Sequence, residues 1–172
     1  MISITLPDGS IRAFAPGTTP MEVAKNISEG FARNVISASF EGTTIETSTP
    51  LTTDGSLILY TWNDAEGKKA FWHSTSHVMA QVLEEMFPGI QLTLGPAIAN
   101  GFYYDVDFGD QKITEADFKA IESRILEISK EKHEFKMRAV TKAEALETYK
   151  DNVYKTELIS NLEDGTITFC DH

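Results

Sequence analysis

Apolar and polar residues alternate at the start of the chain and predict a β-hairpin. Residues 2–6 form the first predicted strand, Asp8 and Gly9 occupy the turn, and residues 11–14 form the returning strand. Later apolar stretches bounded by turn residues predict further strands, which span residues 34–40, 44–47 and 56–60. This part of the chain is therefore expected to contain a sheet.

A helix is predicted between the hairpin and the later strands. Thr19 has the residue type of an N-cap, Pro20 suits the first helical position, and Glu22 completes a capping box with Thr19. Gly30 is the predicted end of this helix. A hairpin, a helix and further strands together predict a small β-grasp (ubiquitin-like) domain over residues 1–62.

Helical periodicity becomes the main signal after a polar linker over residues 62–69. Apolar residues recur at four-residue intervals from Val78 to Met86. A helix is therefore expected to begin near Lys69 and to end before Pro88.

The rest of the chain predicts short strands and capped helices. Thr114 with Asp117 and Thr141 with Glu144 each mark a helix start, whereas residues 152–162 fit no single assignment. The strands are expected at residues 92–95, 101–108 and 165–169, and a core-facing helical stripe at Phe118, Ile121, Ile125 and Ile128. The predicted fold class is α+β: the β-grasp domain, then an α+β domain over residues 63–172 with antiparallel strands and helices.

Composition narrows the class of protein. The single cysteine, Cys170, excludes a disulfide framework within the chain, and no apolar run has the length of a membrane span or the form of a secretory leader, so a cytoplasmic location is expected. The net charge of −11 counts against a stand-alone nucleic-acid binder. A modest basic segment over residues 130–138 fits a solvated helix end and strand better than an RNA-binding patch.

His73 and His77 are the strongest candidates for chemistry. Their spacing places both imidazoles on one face of the predicted helix. Such a pair can hold a metal, transfer protons, or pack and hydrogen-bond as structural residues. The pair alone leaves these alternatives open.

Three segments carry a resemblance to a known family. The His73–His77 pair, the run from Gly95 to Asp105 (GPAIANGFYYD) and the later Tyr154-Lys155 resemble the editing domain of bacterial-type threonyl-tRNA synthetases. Residues 4–10 (ITLPDGS) resemble the small TGS domain that precedes it in those enzymes. The two resemblances cover essentially the whole chain in the family's order.

The resemblance implies a proofreading activity. Enzymes of this family attach threonine to its tRNA with ATP, magnesium and an active-site zinc, in catalytic and anticodon-binding domains that these residues do not resemble. The editing domain hydrolyses serine wrongly attached to threonine tRNA. The expected partners are the tRNA acceptor end and its seryl-adenosine moiety, not a membrane, and no cofactor or metal is expected for this part.

The resemblance also implies roles for individual residues. His73 and His77 would position or activate a water near the ester, and Lys155 would contact the terminal adenosine or the developing oxyanion. Tyr104 would line the pocket, although strand alternation explains a tyrosine there equally well. Gly95 would let the backbone approach a ligand closely.

The end of the chain departs from the family pattern. The family completes its site with a cysteine and a histidine separated by three residues, whereas one residue separates Cys170 from His172 here. We therefore expect that these two residues are not site residues, that the second domain is truncated at its C-terminal end, and that deacylation is weak or absent. The fragment is expected to be a monomer, although the full enzymes are usually homodimers.

Two other functions stay open at this point. Alanyl-tRNA synthetase editing proteins resemble this fold and bind zinc with an H-x-x-x-H pair and a second Cys/His pair, so His73, His77, Cys170 and His172 have the right residue types for zinc. TGS domains also occur in regulatory proteins, so a non-catalytic binding module is the other alternative. Bound zinc would favour the first, and partner binding without a response to a seryl-adenosine analogue the second.

Overall fold

The alternating segment at the start of the chain forms the predicted hairpin. In the computed structural model, which describes residues 1–133 and 135–171, β1 (Ile2–Thr5) pairs antiparallel with β2 (Ile11–Phe14). Strands β3 (Val35–Phe40), β4 (Thr43–Ile45) and β5 (Gly55–Thr61) complete a five-stranded sheet in the order β2-β1-β5-β3-β4. The β1–β5 pair is parallel and the other neighbours are antiparallel, which confirms the β-grasp prediction.

Helix α1 (Pro20–Ile27) begins with the predicted capping box. The Thr19 hydroxyl accepts from the Glu22 backbone N–H at 3.3 Å, and the Glu22 carboxylate accepts from the Thr19 N–H at 2.8 Å. Val23 on α1 is fully buried against the sheet core. This core consists of Ile2, Ile4, Leu6, Val23, Ala38, Leu51 and Leu57.

The end of α1 was predicted wrongly. The helix stops at Ile27 rather than at Gly30, and a separate short helix, α2 (Glu29–Ala32), follows. Ser28 separates the two because its hydroxyl accepts from the Phe31 N–H at 2.9 Å, an N-cap bond that starts a new helix.

Helix α3 (Ala65–Met86) begins earlier than the predicted start near Lys69. The Asp64 carboxylate accepts hydrogen bonds from the Thr61 N–H and hydroxyl at 2.7 and 2.9 Å, which fixes the turn before the helix. Gly67 then passes so close to the Thr61 carbonyl that a Cβ on it would lie 2.0 Å from that oxygen. The polar residues after strand β5 are thus helical from residue 65 onward.

The chain divides into two units, Met1–Trp72 and His73–His172, with the division inside α3. Each unit has its own buried cores among the described residues. In the second unit, α3 and α4 (Glu115–Glu131) share one core, made of Ala80, Val82, Leu83, Phe87, Ile90, Leu92, Ile121 and Ile128. The α+β class is confirmed. No described helix is long and apolar enough to span a bilayer.

The strands of the second unit are shorter than predicted. β6 (Gln91–Leu92) pairs with β9 (Val106–Asp107), and β7 (Ala97–Ile98) pairs with β8 (Gly101–Phe102), both antiparallel. The predicted strand over residues 101–108 is split because the chain leaves β8 and enters a second pairing at Asp105. The Asp105 N–H donates to the Leu94 carbonyl at 2.8 Å and extends the β6–β9 ribbon.

The apolar stripe on α4 is buried only in part. Ile121 and Ile128 are in the core and Ile125 packs against it, but Phe118 is 50% exposed, contrary to the prediction. Phe118 lies one turn nearer the helix start, and the packed part of the helix begins at Ile121. The Asp117 carboxylate accepts from the Thr114 N–H at 2.8 Å, as the predicted cap requires.

The last described elements are β10 (Lys136–Ala139), α5 (Lys142–Thr148), α6 (Val153–Ser160) and β11 (Thr168–Asp171). Strands β10 and β11 pair antiparallel. Most of segment 152–162, which fitted no single assignment from sequence, is helical and forms α6. Strand β11 begins later than predicted because residues 163–166 form a turn, in which the Thr166 N–H donates to the Glu163 carbonyl.

Candidate functional site

The two histidines on α3 contact each other directly. The Nε2 atom of His73 lies 3.2 Å from the Nε2 atom of His77, and the ring planes meet at 82° with their centroids 4.6 Å apart. His73 is exposed and His77 half-buried, with the ring of Phe135 6.4 Å from that of His77. The predicted helical spacing therefore brings both imidazoles together at the surface.

The distance between the two nitrogens allows a hydrogen bond between the rings. In such a bond one Nε2 donates and the other accepts, and which ring does which depends on the tautomers. Two rings that both carried a proton on Nε2 would place two N–H groups face to face, which is not a hydrogen bond. Imidazoles in this arrangement can accept and donate protons.

Gly95 and Tyr104, both predicted site residues, are in contact. A Cβ built on Gly95 would lie 2.3 Å from Cδ2 and Cε2 of Tyr104, so the tyrosine ring occupies the space that any side chain at residue 95 would need. Tyr104 packs against the α3–α4 core, whereas Tyr103 is 49% exposed. One ring packs against the core and the other is exposed, as strand alternation would give, although residues 103 and 104 lie between β8 and β9 rather than in a strand.

The phenol of Tyr104 stays protonated at neutral pH. Burial raises its pKa above the usual value, and the charge of Glu84 and the nearby Tyr149 raise the pKa further. A neutral phenol is a hydrogen-bond donor as well as an acceptor. It can therefore orient a polar group of a ligand without adding a charge.

Ser76 connects the histidine helix to Gly95 and was missed by the sequence analysis. Its side chain is fully enclosed at 2% exposure, and its Oγ lies 2.7 Å from the His73 carbonyl oxygen and 2.9 Å from the Gly95 carbonyl oxygen. The sequence offers only a weak signal, a small polar residue on the helix between the two histidines. The cross-link to a residue 19 positions away has no sequence signature.

Lys155 lies on the first turn of α6. Its ammonium group is 4.2 Å from the centroid of the Tyr149 ring, a cation–π contact. Its described contacts do not include His73 or His77. The structure therefore brings Lys155 to a neighbour of Tyr104, and its predicted role toward a ligand stays a prediction.

The start of α6 is fastened to the β6–β9 ribbon by consecutive residues. Asn152 Nδ2 donates to the Leu92 carbonyl at 2.9 Å, and the Val153 N–H donates to Gln91 Oε1 at 3.1 Å. The Tyr154 hydroxyl donates to the Asp107 carboxylate at 2.7 Å. These bonds fix the turn of helix that carries Lys155.

A cleft of about 380 Å³ opens beside this anchor. Its walls include Glu84, Tyr149, Asp151 and Asn152. Glu84 and Tyr149 also raise the pKa of Tyr104, so the cleft and the Tyr104 ring share neighbours. Tyr149 and Asn152 were not predicted as part of the site, since a single tyrosine and a helix cap carry no local sign of a pocket.

The possible metal ligands near the chain end give no described cluster. Cys170 is half-buried on β11, opposite Met137 of β10, and His172 lies outside the described residues. Over residues 1–133 and 135–171, no three His, Cys, Asp or Glu side chains are grouped as a metal site would need. The expectation that Cys170 and His172 are not site residues stays a prediction.

Part of the basic segment is neutralised within the protein. Arg138 donates to the Glu144 carboxylate at 2.6 Å and to the Asp171 carboxylate at 3.3 Å, and its guanidinium lies 5.5 Å from the centroid of the Phe169 ring. The charge of this arginine is therefore already paired with two carboxylates of the protein, without an RNA phosphate.

Comparison with known proteins gives one domain family and a set of close relatives. Residues 2–61 match the TGS domain family. The whole chain is 87% identical to a threonine–tRNA ligase of Flavobacterium johnsoniae and 81% identical to one of Flavobacterium psychrophilum. Over 98% of its length it is 51% identical to a threonine–tRNA ligase of Parabacteroides distasonis. The chain spans 26% of the length of each of these relatives.

Proposed function

We propose that the chain is the N-terminal region of a threonine–tRNA ligase, and that within such a ligase this region serves to proofread by hydrolysing seryl esters of threonine tRNA. The observation that carries the proposal is the 3.2 Å contact between the Nε2 atoms of His73 and His77. The two imidazoles can act as proton acceptor and proton donor side by side on one face of a helix.

The chemistry of the two amino acids explains why such a ligase needs a second site. Serine lacks one methyl group of threonine, and a pocket that merely lacks the matching contact discriminates by about 1–3 kcal/mol. A hydrolytic site too small for that methyl group would remove the remaining errors.

Hydrolysis of this ester needs little beyond a positioned water. The aminoacyl ester is already activated, so proton transfer by one imidazole and stabilisation of the developing oxyanion suffice without a covalent nucleophile. We assign to the His73–His77 pair the role of positioning or activating the attacking water. Tyr104 would orient the amino acid, and Lys155 would bind the adenosine or the oxyanion as a point charge.

Attachment of threonine is assigned to the rest of the ligase. ATP, magnesium and zinc would act there, and we assign none of them to the described residues. The partner of this region would be the acceptor end of threonine tRNA. The TGS domain over residues 2–61 supports an RNA-related role for the first unit.

Binding tests the proposal without requiring turnover. The chain is titrated with a non-hydrolysable seryl-adenosine analogue, with the threonyl analogue for comparison, while the ring resonances of His73 and His77 are followed by NMR. We expect the seryl analogue to perturb both rings and the threonyl analogue to perturb them less. Loss of binding in His73→Ala, with binding kept in His133→Ala, would support a specific role for the pair.

Two results would overturn the assignment. Equal responses to the seryl and threonyl analogues would remove the proofreading role. Stoichiometric zinc in the purified chain that is lost in His73→Ala would replace the metal-free reaction by a zinc-dependent one. His133 is a suitable control because it is also exposed and bonds to Glu131 at 2.7 Å.

A further inference from the structure

Ser76 bonds to two carbonyl groups that belong to different parts of the candidate site. One acceptor, His73, lies on the same helix, and the other, Gly95, lies in the segment before β7. We propose that Ser76 is a positioning residue that sets the distance between the histidine turn of α3 and Gly95, and thereby the place of the Tyr104 ring.

The second acceptor distinguishes this serine from an ordinary helical one. Serines in helices often bond to a carbonyl of the preceding turn, as Ser129 does to Leu126 at 2.8 Å. The His73 carbonyl already has a helical N–H partner four residues later, so the bond within the helix is the dispensable one. The bond to Gly95 at 2.9 Å is the one that joins two segments.

Burial makes this contact hard to replace. Ser76 is only 2% exposed, so bulk water does not reach its hydroxyl to take over a lost bond. Its hydroxyl carries one hydrogen, which the two carbonyl oxygens share. A change at residue 76 therefore acts on the separation of the two segments rather than on solvation.

The displacement would reach Tyr104 through Gly95. The ring lies directly against the glycine, where even a Cβ would come within 2.3 Å of it. Any shift of Gly95 toward or away from α3 therefore moves the surface on which the ring rests. If the proposed function is correct, the pocket must reject one methyl group, so Ser76 also determines the preference for serine over threonine.

The test compares Ser76→Ala with Ser129→Ala in the 172-residue chain. Both changes remove a hydroxyl that bonds to the carbonyl three residues earlier in a helix, but only Ser76 also bonds to Gly95. We expect Ser76→Ala to shift the ring resonances of Tyr104 and those of His73 and His77, and Ser129→Ala to leave them in place. Ser76→Thr retains the hydroxyl and should keep the Tyr104 resonances near their original positions.

If Ser76→Ala shifted the resonances of Gly95 but left those of Tyr104 in place, the positioning role would be overturned. Titration with the two aminoacyl-adenosine analogues separates this result from the fate of the proposed function. We expect the ratio of affinities, serine over threonine, to fall about tenfold in Ser76→Ala. An unchanged ratio would overturn the role in selectivity, whereas no binding by the unaltered chain would overturn the proposed function while the Tyr104 resonances still decide the positioning role.

Discussion

Gly95 has no room for a side chain, and this gives a prediction for a single methyl group. In Gly95→Ala the new Cβ would lie 2.3 Å from the Tyr104 ring, so the ring or the backbone must move. We expect a loss of stability of about 1–3 kcal/mol, the usual cost of overpacking. Denaturant unfolding measures the loss, and the Tyr104 ring resonances show which part moved.

Gly30→Ala is the matched control for this change. A Cβ on Gly30 would meet only the Ser28 hydroxyl oxygen, at an ordinary 3.9 Å, and the residue lies in α2. Replacing a helical glycine by alanine without a clash stabilises by about 0.4–1 kcal/mol. If Gly95→Ala were as harmless as Gly30→Ala, the contact between Gly95 and Tyr104 would not be a tight one in solution.

The bond between Tyr154 and Asp107 predicts a change in one titration. The Tyr154 hydroxyl lowers the pKa of Asp107 most, and the Gly109 N–H at 2.8 Å lowers it further. In Tyr154→Phe we expect the pKa of Asp107 to rise but to stay below its usual value, since Gly109 still donates. NMR of the Asp107 carboxyl carbon during an acid titration measures this shift.

The sign of the stability effect follows from the direction of the shift. A lowered pKa in the folded state means that this bond stabilises the fold above the unfolded-state pKa of Asp107 and is lost as the pH falls through the folded-state pKa. Tyr154→Phe should therefore destabilise at neutral pH and progressively less in acid. Tyr103→Phe, which alters an exposed tyrosine, should leave the Asp107 titration unchanged.

The sequence predicted those parts of the site that depend on local spacing. His73 and His77 are four residues apart, and helix geometry alone brings such rings together. The contacts of Ser76 with Gly95 and of Gly95 with Tyr104 depend on where separate segments pack, which no local pattern encodes. For the same reason, the sequence could not place Lys155 on the Tyr149 ring.

At the scale of elements, the N-terminus of α6 has a cap with two functions. Asn152 Oδ1 accepts from the Lys155 N–H at 3.0 Å, while its Nδ2 donates to the Leu92 carbonyl at 2.9 Å. Asn152→Ala removes both the cap and the anchor to β6. We expect it to cost more than the roughly 1 kcal/mol of an ordinary cap and to change the environment of Lys155.

Thr141→Ala gives the cost of a cap alone. The Thr141 hydroxyl accepts from the Glu144 N–H at 3.1 Å at the start of α5. Thermal unfolding of the two variants gives the difference in stability, and the Lys155 side-chain resonances report on the helix start. Equal losses of stability, with Lys155 unchanged, would mean that the bond to Leu92 does not hold α6 in place.

Helix starts were easier to predict from sequence than helix ends or short strands. The caps at Thr19, Thr114 and Thr141 use contacts within four residues, so their sequence signal is complete. The stop of α1 was missed because Ser28 starts a second helix before the expected glycine. The early start of α3 depends on Asp64 bonding back to Thr61 in the preceding strand, which a polar linker sequence does not reveal.

At the scale of the whole chain, the division inside α3 predicts that the first unit reaches its full stability only with the first turns of α3. The Trp62 ring makes edge-to-face contacts with two aromatic residues of α3, with centroid distances of 5.2 Å to Phe71 and 5.9 Å to Trp72. Lys68 lies 5.9 Å from the centroid of the same ring. The first turns of α3 therefore belong structurally to the first unit.

This packing distinguishes two ways of cutting the chain. The sequence-based boundary leaves residues 1–62, whereas the structural division leaves residues 1–72, and both fragments contain the core built on Ile4 and Leu57. We expect both to fold, because that core lies entirely before residue 62, but the longer fragment to be more stable by about 1–3 kcal/mol from the aromatic pairs and the buried area. Denaturant unfolding followed by tryptophan fluorescence compares them.

Phe71→Ala in the 1–72 fragment tests whether the aromatic pairs are the cause. The change should remove most of the difference between the two fragments, while Lys69→Ala, in the same helix turn, should remove little of it. Equal stability of residues 1–62 and 1–72 would place the structural boundary at the end of β5, because α3 would then add nothing to the first unit. A stable 1–72 fragment whose stability depends on Phe71 would mean that the helix carrying His73 starts as part of the first unit.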